Sequence, residues 1–355
     1  MRGKTMYVYK TTGVSEDEKA IEKAATLIKN GSLVVFPTET VYGIGANALD
    51  SEATKKIFVA KGRPSDNPLI VHISTLEMLY ALTRNIIPVE RKLLSAFWPG
   101  PLTVIFEKSE IVPDVVTGGT STVAIRMPSN PIANKLITFA GLPIAAPSAN
   151  RSGRPSGTQI SDIVDEIKDH VEMFIDDGIS NIGLESTVIK VENGIPIILR
   201  LGRVTPADVI NAVGIVEVDK RVFSASDDNE IVLSLGMKYK HYAPDCKCLL
   251  VESMNERNKV EKIQELVMKF HTKKVAIMCV YENLSSYNDY ENAIVFSMGA
   301  YLDYDKISRS LFALLREAEA HCPDVILIES VPKDGLGVAL MNRLIRTCGY
   351  EVIHC

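Results

Sequence analysis

Short apolar runs alternate with longer amphipathic stretches along most of the sequence. Apolar residues follow a helical spacing from Ile21 to Ile28, after a capping box at Ser15–Glu18 and before Gly31, which predicts a first helix. The next run, 33–36, is apolar and partly β-branched and is closed by Pro37. It predicts a buried strand followed by a loop from Thr38 to Asn47.

Runs of the same kind recur through the first two thirds of the chain. They lie at Leu69–Ile73, Leu102–Phe106, Val123–Arg126, Pro143–Ala146, Met173–Ile175, Thr187–Val191 and Ile197–Leu201. Helical patterns separate several of them, near residues 51–61, 75–97, 131–140 and 161–168. Strands that alternate with helices at these lengths predict an α/β sheet, with antiparallel hairpins where the spacing is short, as at Asn193-Gly194.

The alternation breaks up between Glu217 and Asp245, where a polar, acidic stretch predicts a linker. Alternation then resumes, which predicts a small, doubly wound, Rossmann-like domain. Its predicted strands are Cys248–Val251, Val275–Val280, Ala293–Phe296 and Val325–Glu329, and its predicted helices lie near residues 254–270, 305–320 and 337–347. The predicted organisation is therefore a first domain over residues 1–216, a linker over 217–245 and a second domain over 246–355.

Composition narrows the class of protein. A chain of 355 residues with 46% hydrophobic and 23% charged residues has room for two cores, and its net charge of −5 excludes a global positive field for nucleic acid. All six cysteines lie in the last third without a CxxC pair, which favours a reducing cytoplasm over a zinc ribbon or a disulfide framework. No apolar stretch is typical of a signal peptide or a membrane span, so we expect a cytoplasmic protein with no membrane partner.

The loop after the first predicted strand carries polar side chains beside two glycines. Within Pro37–Gly45, the hydroxyls of Thr40 and Tyr42 follow a buried strand. Ligands of open α/β sheets bind at the carboxyl ends of strands, so these hydroxyls are placed to contact one. Hydroxyl residues and glycine also form ordinary turns, and the pattern alone leaves both interpretations open.

Two cations end the next predicted helix. Lys61 and Arg63 complement a helix C-terminus, which is a purely structural interpretation. The alternative is a phosphate clamp, because lysine supplies a point charge, arginine a planar fork and the following Asn67 a neutral donor. His72 lies in the next apolar run, where a lone histidine is more often a satisfied core residue than a ligand.

Residues 146–158 form the most informative stretch. Its small residues and hydroxyls, Ser148 and Ser156 among them, let backbone N–H groups approach an anion as in phosphate-binding nests. The stretch has no Walker pattern, and a solvated linker is the alternative interpretation. The strand signal before it and the helical pattern after it argue against a linker.

Three lesser stretches add hydroxyls and guanidinium groups at strand ends. These are Thr120–Thr122 leading to Arg126, Glu185–Thr187, and Arg200 with Arg203. Each alone is compatible with a surface turn or an ion pair. No metal-like cluster of Cys and His residues accompanies them, so we expect no metal site of the protein's own and expect any divalent ion on substrate phosphates.

Five motifs together carry a family resemblance. They are Phe36–Gly43, Lys61–Pro64 with Asn67–Leu69, Trp98–Thr103, Pro147–Gly153 and Glu185–Val188. In this order they resemble the YrdC-type threonylcarbamoyl-AMP synthases. Residues 236–244 and the domain after them are similar to the linker and C-terminal domain of the longer, two-domain form. The resemblance implies a YrdC-like twisted mixed sheet with flanking helices, plus a smaller Rossmann-like α/β domain.

The resemblance implies a nucleotidyltransferase that condenses L-threonine, bicarbonate and ATP into threonylcarbamoyl-AMP and releases pyrophosphate. Mg²⁺ would come on the ATP phosphates, and a downstream tRNA threonylcarbamoyl-transferase machinery would modify the adenosine beside the anticodon. Stable nucleic-acid binding is not expected. Two departures from the family pattern, Gly157 and Leu235 where proline is common, put loop stiffness in doubt.

The resemblance also implies roles for single residues. Lys61 and Arg63 would be catalytic through charge stabilisation. The implied contacts with ATP are Lys61, Arg63, Asn67, Thr122, Ser148, Asn150, Ser156, Arg200 and Tyr242. The implied contacts with L-threonine or its carbamate are Thr40, His72, Arg126, Ala146 and Ser186. Tyr242, in the linker, would close over the site as a lid that excludes water.

Two other functions compete with this interpretation. An RNA-binding module would need a basic or aromatic stripe, and the net charge of −5 argues against it as the main role. Carbamoyl transfer from carbamoyl phosphate, as in hydrogenase-maturation proteins with a similar domain, would come with zinc-finger cysteine pairs and an acylphosphatase-like domain. Neither is found in this sequence.

Overall fold

The computed structural model describes residues 7–13, 16–223 and 242–355 in two compact units. The first unit holds the described residues up to 152 and from 156 to 223, and the second holds 153–155 and 242–355. The predicted cap at Ser15, the departure at Leu235 and most of the predicted linker, together with residues 236–241 of the family-like motif, lie outside the described residues.

The first unit consists of one large sheet with flanking helices. Its strands are β1 (Tyr7–Lys10), β2 (Val34–Phe36), β3 (Gly43–Asn47), β4 (Ile70–His72), β5 (Leu102–Glu107), β6 (Thr122–Arg126), β7 (Ile144–Ala145), β8 (Met173–Asp176), β9 (Thr187–Glu192), β10 (Ile195–Arg200) and β11 (Glu217–Val218). Its helices are α1 (Glu16–Lys29), α2 (Ser51–Lys61), α3 (Leu76–Leu82), α4 (Pro88–Phe97), α5 (Asp114–Thr117), α6 (Pro131–Ala140), α7 (Val164–Ile167) and α8 (Pro206–Val213). Short 3₁₀ turns lie at Ile160–Asp162, Lys168–His170 and Lys220–Val222.

The eleven strands follow the order β1-β8-β2-β3-β7-β4-β6-β5-β9-β10-β11. Parallel pairs such as β4 with β6 and β5 with β9 alternate with antiparallel pairs such as β5 with β6. The β9–β10 hairpin turns at Asn193 and Gly194, which have φ values of 50° and 79°. Both values suit a turn of the I′ kind, so the hairpin predicted there is confirmed, as is the mixed sheet.

Helices α1 and α6 cover one part of this sheet with apolar side chains. Ile21 and Ile28 of α1 pack in one cluster with Leu136 and Ile137 of α6, and all four are fully buried. Asn130 caps α6 by accepting from Ile132 and Ala133. The amphipathic spacing that predicts α1 thus corresponds to the face that it buries.

Three local predictions were wrong. The predicted loop over residues 38–47 ends in strand β3, because Gly45 leaves room for Phe36, whose ring would lie 2.7 Å from a Cβ there. The helical pattern near residues 75–97 divides into α3 and α4, since Pro88 begins a second helix at its first turn. The pattern near 161–168 is the single turn α7 with 3₁₀ turns on either side.

The second unit contains a five-stranded parallel sheet with helices between its strands. The strands are β12 (Lys247–Glu252), β13 (Val275–Val280), β14 (Ala293–Gly299), β15 (Val325–Glu329) and β16 (Val352–His354), in the order β14-β13-β15-β12-β16. The helices are α9 (Glu256–Lys269), α10 (Tyr304–Ala320) and α11 (Gly337–Thr347), with a 3₁₀ turn at Tyr281–Ser286. The predicted parallel α/β domain is confirmed, and β16 is an edge strand that the apolar pattern did not predict.

Among the described residues, no helix is both long and apolar enough to cross a membrane.

The α1–α6 cluster gives a stability prediction. We expect Ile137→Ala to lower the free energy of unfolding of the first unit by about 2–5 kcal/mol, because the change leaves a cavity at a fully buried position. Val59→Ala on α2, where the side chain is 67% exposed, should change it by less than about 0.5 kcal/mol. Urea denaturation followed by circular dichroism measures both, and equal effects would contradict the packing described.

Candidate active site

Backbone hydrogen bonds bring the predicted polar loops of the first unit together. The Tyr42 amide donates to the carbonyl of Gly157 at 3.0 Å, and the Ala149 amide donates to the carbonyl of Tyr42 at 2.8 Å. The Gly183 amide donates to the carbonyl of Thr40 at 3.0 Å. Residues 37–42, 147–152, 156–157 and 183–186 therefore form adjacent walls of one site.

The guanidinium of Arg126 is held on three sides at the carboxyl end of β6. It forms an ion pair with Glu39 at 2.5 Å and donates to the hydroxyl of Thr40 at 2.8 Å. Its Nε also donates to the carbonyl of Gly100 at 3.2 Å. These bonds fix the plane of a buried arginine, which is the arrangement that recognition of a carboxylate requires.

Glu39 is the acidic partner in this buried pair. Burial disfavours its charged form, but the charge of Arg126 and its hydrogen bond outweigh burial and lower the pKa of Glu39 below its usual value. The Glu39 carboxylate is therefore ionised at neutral pH. It compensates a cation that would otherwise lie desolvated and alone.

His72 lies beside Arg126 in register, at the end of β4. Burial and the neighbouring charge of Arg126 lower the pKa of His72 to about 3, so its imidazole is neutral at pH 7. Its ring meets the edge of Phe36 at 6.2 Å, and its Nδ1 is buried with no hydrogen-bond partner among the described residues. A buried, unpaired ring nitrogen is costly, which favours a ligand contact over a satisfied core position.

Lys61 and Arg63 lie at the end of α2, as the helix C-terminus interpretation required, but both are buried. The Lys61 ammonium donates to the carbonyls of Ser148 and Asn150. Burial, reinforced by the charge of Arg63, lowers the pKa of Lys61 well below its usual value. Arg63 in turn donates to the carbonyl of Pro68 at 3.4 Å. Cations that serve only a helix dipole remain exposed, so this burial favours a clamp.

Asn67 and Thr122 lie near the amino ends of the neighbouring strands β4 and β6. The Oδ1 of Asn67 is buried with no hydrogen-bond partner among the described residues. The hydroxyl of Thr122 lies 3.4 Å from that of Thr120 and is only half-buried. The contacts around Arg126 do not include Thr122, so its predicted place beside ATP stays a prediction.

A second hydroxyl-rich cluster surrounds Ser186. Its hydroxyl lies 2.7 Å from that of Thr103 and accepts from Arg200 at 3.0 Å. Because Arg200 also donates to the carbonyl of Ser186, both groups of the serine are fixed. Gly202 lets its own backbone lie against that of Glu185, since a Cβ at position 202 would lie 2.5 Å from the carbonyl oxygen of Glu185.

Ser156 donates to the carboxylate of Glu185 at 2.6 Å, and both are buried. Gly157 follows, and a Cβ at that position would lie 2.3 Å from Ile163. This close contact is a local reason for glycine where proline is common in the family.

Ala146 is buried and donates its amide to the carbonyl of Ile70 at 2.9 Å. Its small side chain leaves room next to the strand that carries His72.

Tyr242 belongs to the second unit, where it is buried and has a φ of 66°. Its ring stacks on Phe312 of α10 with centroids 5.1 Å apart, and the guanidinium of Arg343 lies 5.6 Å from its centre. Contact of Tyr242 with a nucleotide stays a prediction.

Positive charge exceeds negative charge among the buried groups of this site. Among the described residues, the buried charged groups here are the cations Lys61, Arg63, Arg126 and Arg200 and the carboxylates Glu39 and Glu185, and the half-buried Glu166 also acts on Lys61. Cations gathered in a low-dielectric interior attract negative charge strongly, so the site is suited to an anionic ligand.

Three partners of the predicted residues were missed as site residues: Glu39, Thr103 and Glu185. Each lies inside a motif already singled out, Phe36–Gly43, Trp98–Thr103 and Glu185–Val188. The sequence signal that could have identified the two glutamates is a charged residue within a loop that is predicted to be buried. Their roles depend on contacts with distant residues, Arg126 and Ser156, which no local pattern shows.

Comparison with known proteins decides the family. The profile described as "Telomere recombination" matches residues 26–202, and that described as "Threonylcarbamoyl-AMP synthase, C-terminal domain" matches residues 204–349. A threonylcarbamoyl-AMP synthase of Pyrococcus abyssi is 44% identical over 340 residues, which cover 95% of this chain and 96% of that protein. One of Bacillus subtilis is 40% identical over the full length of both chains.

This chain belongs to the threonylcarbamoyl-AMP synthase family. The crystal structure of P. abyssi Sua5 complexed with L-threonine matches it with a TM-score of 0.90 and 42% identity, covering 99% of each chain. The predicted family, in its two-domain form, and the predicted fold class are both confirmed.

The burial of Lys61 leads to a prediction about proton uptake when ATP binds. Because burial lowers the pKa of Lys61, an anion that binds beside it should raise that pKa again. Titration calorimetry with ATP, in two buffers of different ionisation enthalpy across a range of pH, should therefore report proton uptake at the pH where Lys61 titrates. Lys61→Met should remove the uptake, while Lys55→Met, at an exposed position of the same helix, should retain it. Equal heats in both buffers for the unaltered protein would contradict this assignment.

Proposed function

We propose that this chain condenses L-threonine, bicarbonate and ATP into threonylcarbamoyl-AMP and releases pyrophosphate. The observation that carries the proposal is the gathering of four buried cations, Lys61, Arg63, Arg126 and Arg200, which donate hydrogen bonds to loop carbonyls and hydroxyls. A triphosphate and an amino-acid carboxylate are anions that such cations bind. The name shared by the relatives and the L-threonine complex of P. abyssi Sua5 support the same substrates.

L-Threonine fits the cluster around Arg126. The arginine already has a fixed plane, and its charge suits the carboxylate of an amino acid. The hydroxyls of Thr40 and Ser186 are suited to polar groups of the substrate, and the small side chain of Ala146 leaves space next to the strand that carries His72. The neutral His72 has a free lone pair or proton at Nδ1 for the amine or its carbamate.

ATP fits the clamp at the end of α2 and the loop residues 147–152 and 156–157. Lys61 and Arg63 would stabilise charge that develops on the phosphates as pyrophosphate leaves. Ser148, Asn150 and Ser156 line the same loop, and Arg200 adds a further cation. Asn67, whose amide oxygen has no partner among the described residues, would accept from the nucleotide, with Thr122 nearby.

The chemistry needs positioning more than a strong base. The ammonium of threonine gives one proton to solvent, and the neutral amine then condenses with bicarbonate to a carbamate with loss of water. A carbamate oxygen then forms a bond to the α-phosphorus of ATP while the bond to pyrophosphate breaks. Because the carbamate is already an anionic nucleophile, a neutral His72 is compatible with this step.

The metal of this reaction would be the Mg²⁺ that ATP carries on its phosphates. Among the described residues, no group of three or more His, Cys, Asp or Glu side chains could hold a metal ion. Glu39 and Glu185 are engaged with Arg126 and Ser156. The residues thus suit a metal that arrives with the substrate, since Mg²⁺ retains waters and needs few protein ligands there.

The product would serve a downstream transfer of threonylcarbamoyl to tRNA, at the adenosine beside the anticodon. A carbamoyl-adenylate hydrolyses readily, so the account also needs water to be excluded until release. Tyr242 is the proposed lid residue for that purpose.

The direct test is to incubate the full chain with ATP, Mg²⁺, bicarbonate and L-threonine and to follow pyrophosphate and the adenylate by mass spectrometry. We expect threonylcarbamoyl-AMP only when all three substrates are present. Pyrophosphate release with a different amino acid would overturn the threonine assignment. No turnover in folded protein, with tight binding of bare tRNA, would favour an RNA-binding module instead.

The clamp predicts a large effect at one position. Arg63→Ala should lower pyrophosphate release at least about a hundredfold, because it removes a buried cation aimed at the phosphates. Lys55→Ala, at an exposed position of the same helix, should leave the rate unchanged. A rate for Arg63→Ala close to that of the unaltered protein, in folded protein, would defeat the assignment.

The lid predicts a different kind of defect. Tyr242→Ala should keep most pyrophosphate release but yield less intact adenylate for each pyrophosphate, since water would reach the product. Tyr281→Ala, at a position of the second unit that is 65% exposed, is the control and should keep the original ratio. The ratio of the two products by mass spectrometry checks this, and an unchanged ratio for Tyr242→Ala would count against a lid at that residue.

A further inference from the structure

A groove lies between α3 and α4 of the first unit, and it contains none of the residues assigned to the candidate active site. Its volume is about 370 Å³, within the range of small-molecule sites. Apolar side chains form most of its wall, among them Leu79, Tyr80, Ile86, Leu94 and Trp98. We refer to it as the α3–α4 groove.

The floor of the α3–α4 groove is buried while its rim is open to solvent. Leu79, Ile86 and Leu94 are buried, whereas Leu76 and Tyr80 at the rim are 44% and 52% exposed. An apolar rim over an apolar floor leaves hydrocarbon surface in water. A ligand with a hydrocarbon body would remove that surface from solvent.

The wall of the groove that α4 contributes includes a polar and cationic stripe. Arg91 and Ser95 lie four residues apart on α4, so they share a face of the helix and both line the groove. No carboxylate lines it, and within the described part of the chain the Arg91 guanidinium has no ion-pair partner. A guanidinium next to a hydroxyl is complementary to a carboxylate or another acidic headgroup.

We propose that the α3–α4 groove binds a small anionic amphiphile. Its acidic group would lie on Arg91 and Ser95, and its hydrocarbon body would lie between the two helices against Trp98. The volume of the groove commits the proposal to a small molecule rather than to a partner protein.

The α3–α4 groove and Arg126 are connected through the backbone of Met127 and Gly100. Met127 lines the groove directly after Arg126, and its carbonyl accepts from the Gly100 amide at 2.8 Å. The carbonyl of Gly100 accepts from Arg126 at 3.2 Å, on the side of the candidate active site. The binding site proposed here thus shares no lining residue with the candidate active site, and its test needs no turnover.

Trp98 provides a built-in reporter, because it is the one tryptophan of the whole sequence and lines the groove. The experiment titrates the full chain with decanoate and, separately, with the uncharged decanol, both below the concentration at which they aggregate. Trp98 fluorescence is followed. We expect a saturable change with decanoate at concentrations about fivefold lower than with decanol, the scale of one exposed ion pair.

Three variants distinguish the contribution of the Arg91 charge to binding from that of the apolar walls. Arg91→Gln should weaken decanoate about fivefold and leave decanol unchanged. Lys92→Gln removes a charge from the neighbouring exposed residue, which does not line the groove, and should change neither titration. Tyr80→Ala, at the rim, should weaken both ligands, with circular dichroism as the check on folding.

Three results would overturn the proposal. They are no saturable Trp98 response to decanoate, equal binding of acid and alcohol, and equal effects of Arg91→Gln and Lys92→Gln. Each result leaves the proposed synthase activity untouched, because the titration contains neither ATP nor threonine.

Discussion

Buried positive charge is the constraint around which the first unit is organised. Lys61, Arg63, Arg126 and Arg200 lie away from water, and the local structure supplies each with acceptors or a counter-charge. Lys61 donates to loop carbonyls, Arg126 pairs with Glu39, and Arg200 holds Ser186 at both its oxygens. Desolvating such groups costs free energy, which their bonds within the protein offset, and the proposed anionic substrates would add further counter-charge.

The mixed sheet explains how these groups meet. Parallel β4 and β6 bring His72 beside Arg126, and antiparallel β5 places Thr103 on the other side of the same arginine. Thr103 then reaches Ser186 just before β9, which is parallel to β5. The loops that carry Thr40 and Ser148 close over this row of strand ends, joined by backbone hydrogen bonds and by the bridge between Gly43 and Ser148.

Local patterns predicted most strands and helices, because a buried strand or helix face requires apolar residues at a regular spacing within one short stretch of sequence. They failed for β3, whose sequence Gly43–Asn47 has little preference for a strand and depends on pairing with β2 and β7. The motif residues of the site were predicted through a family resemblance. The role of Glu39 could not be predicted in this way, because it depends on an ion pair with Arg126, which is far away in sequence. The neutral state of His72 likewise follows from burial that only the fold creates.

The central claim is that phosphate charge completes the buried cations of the first unit. The most direct measurement is the affinity of the full chain for ATP, ADP, AMP and adenosine by titration calorimetry at one ionic strength. The account predicts that affinity falls with each phosphate removed, and that Arg63→Gln reduces the difference between ATP and AMP. Adenosine that binds as tightly as ATP, or an Arg63→Gln variant with an unchanged difference, would contradict it.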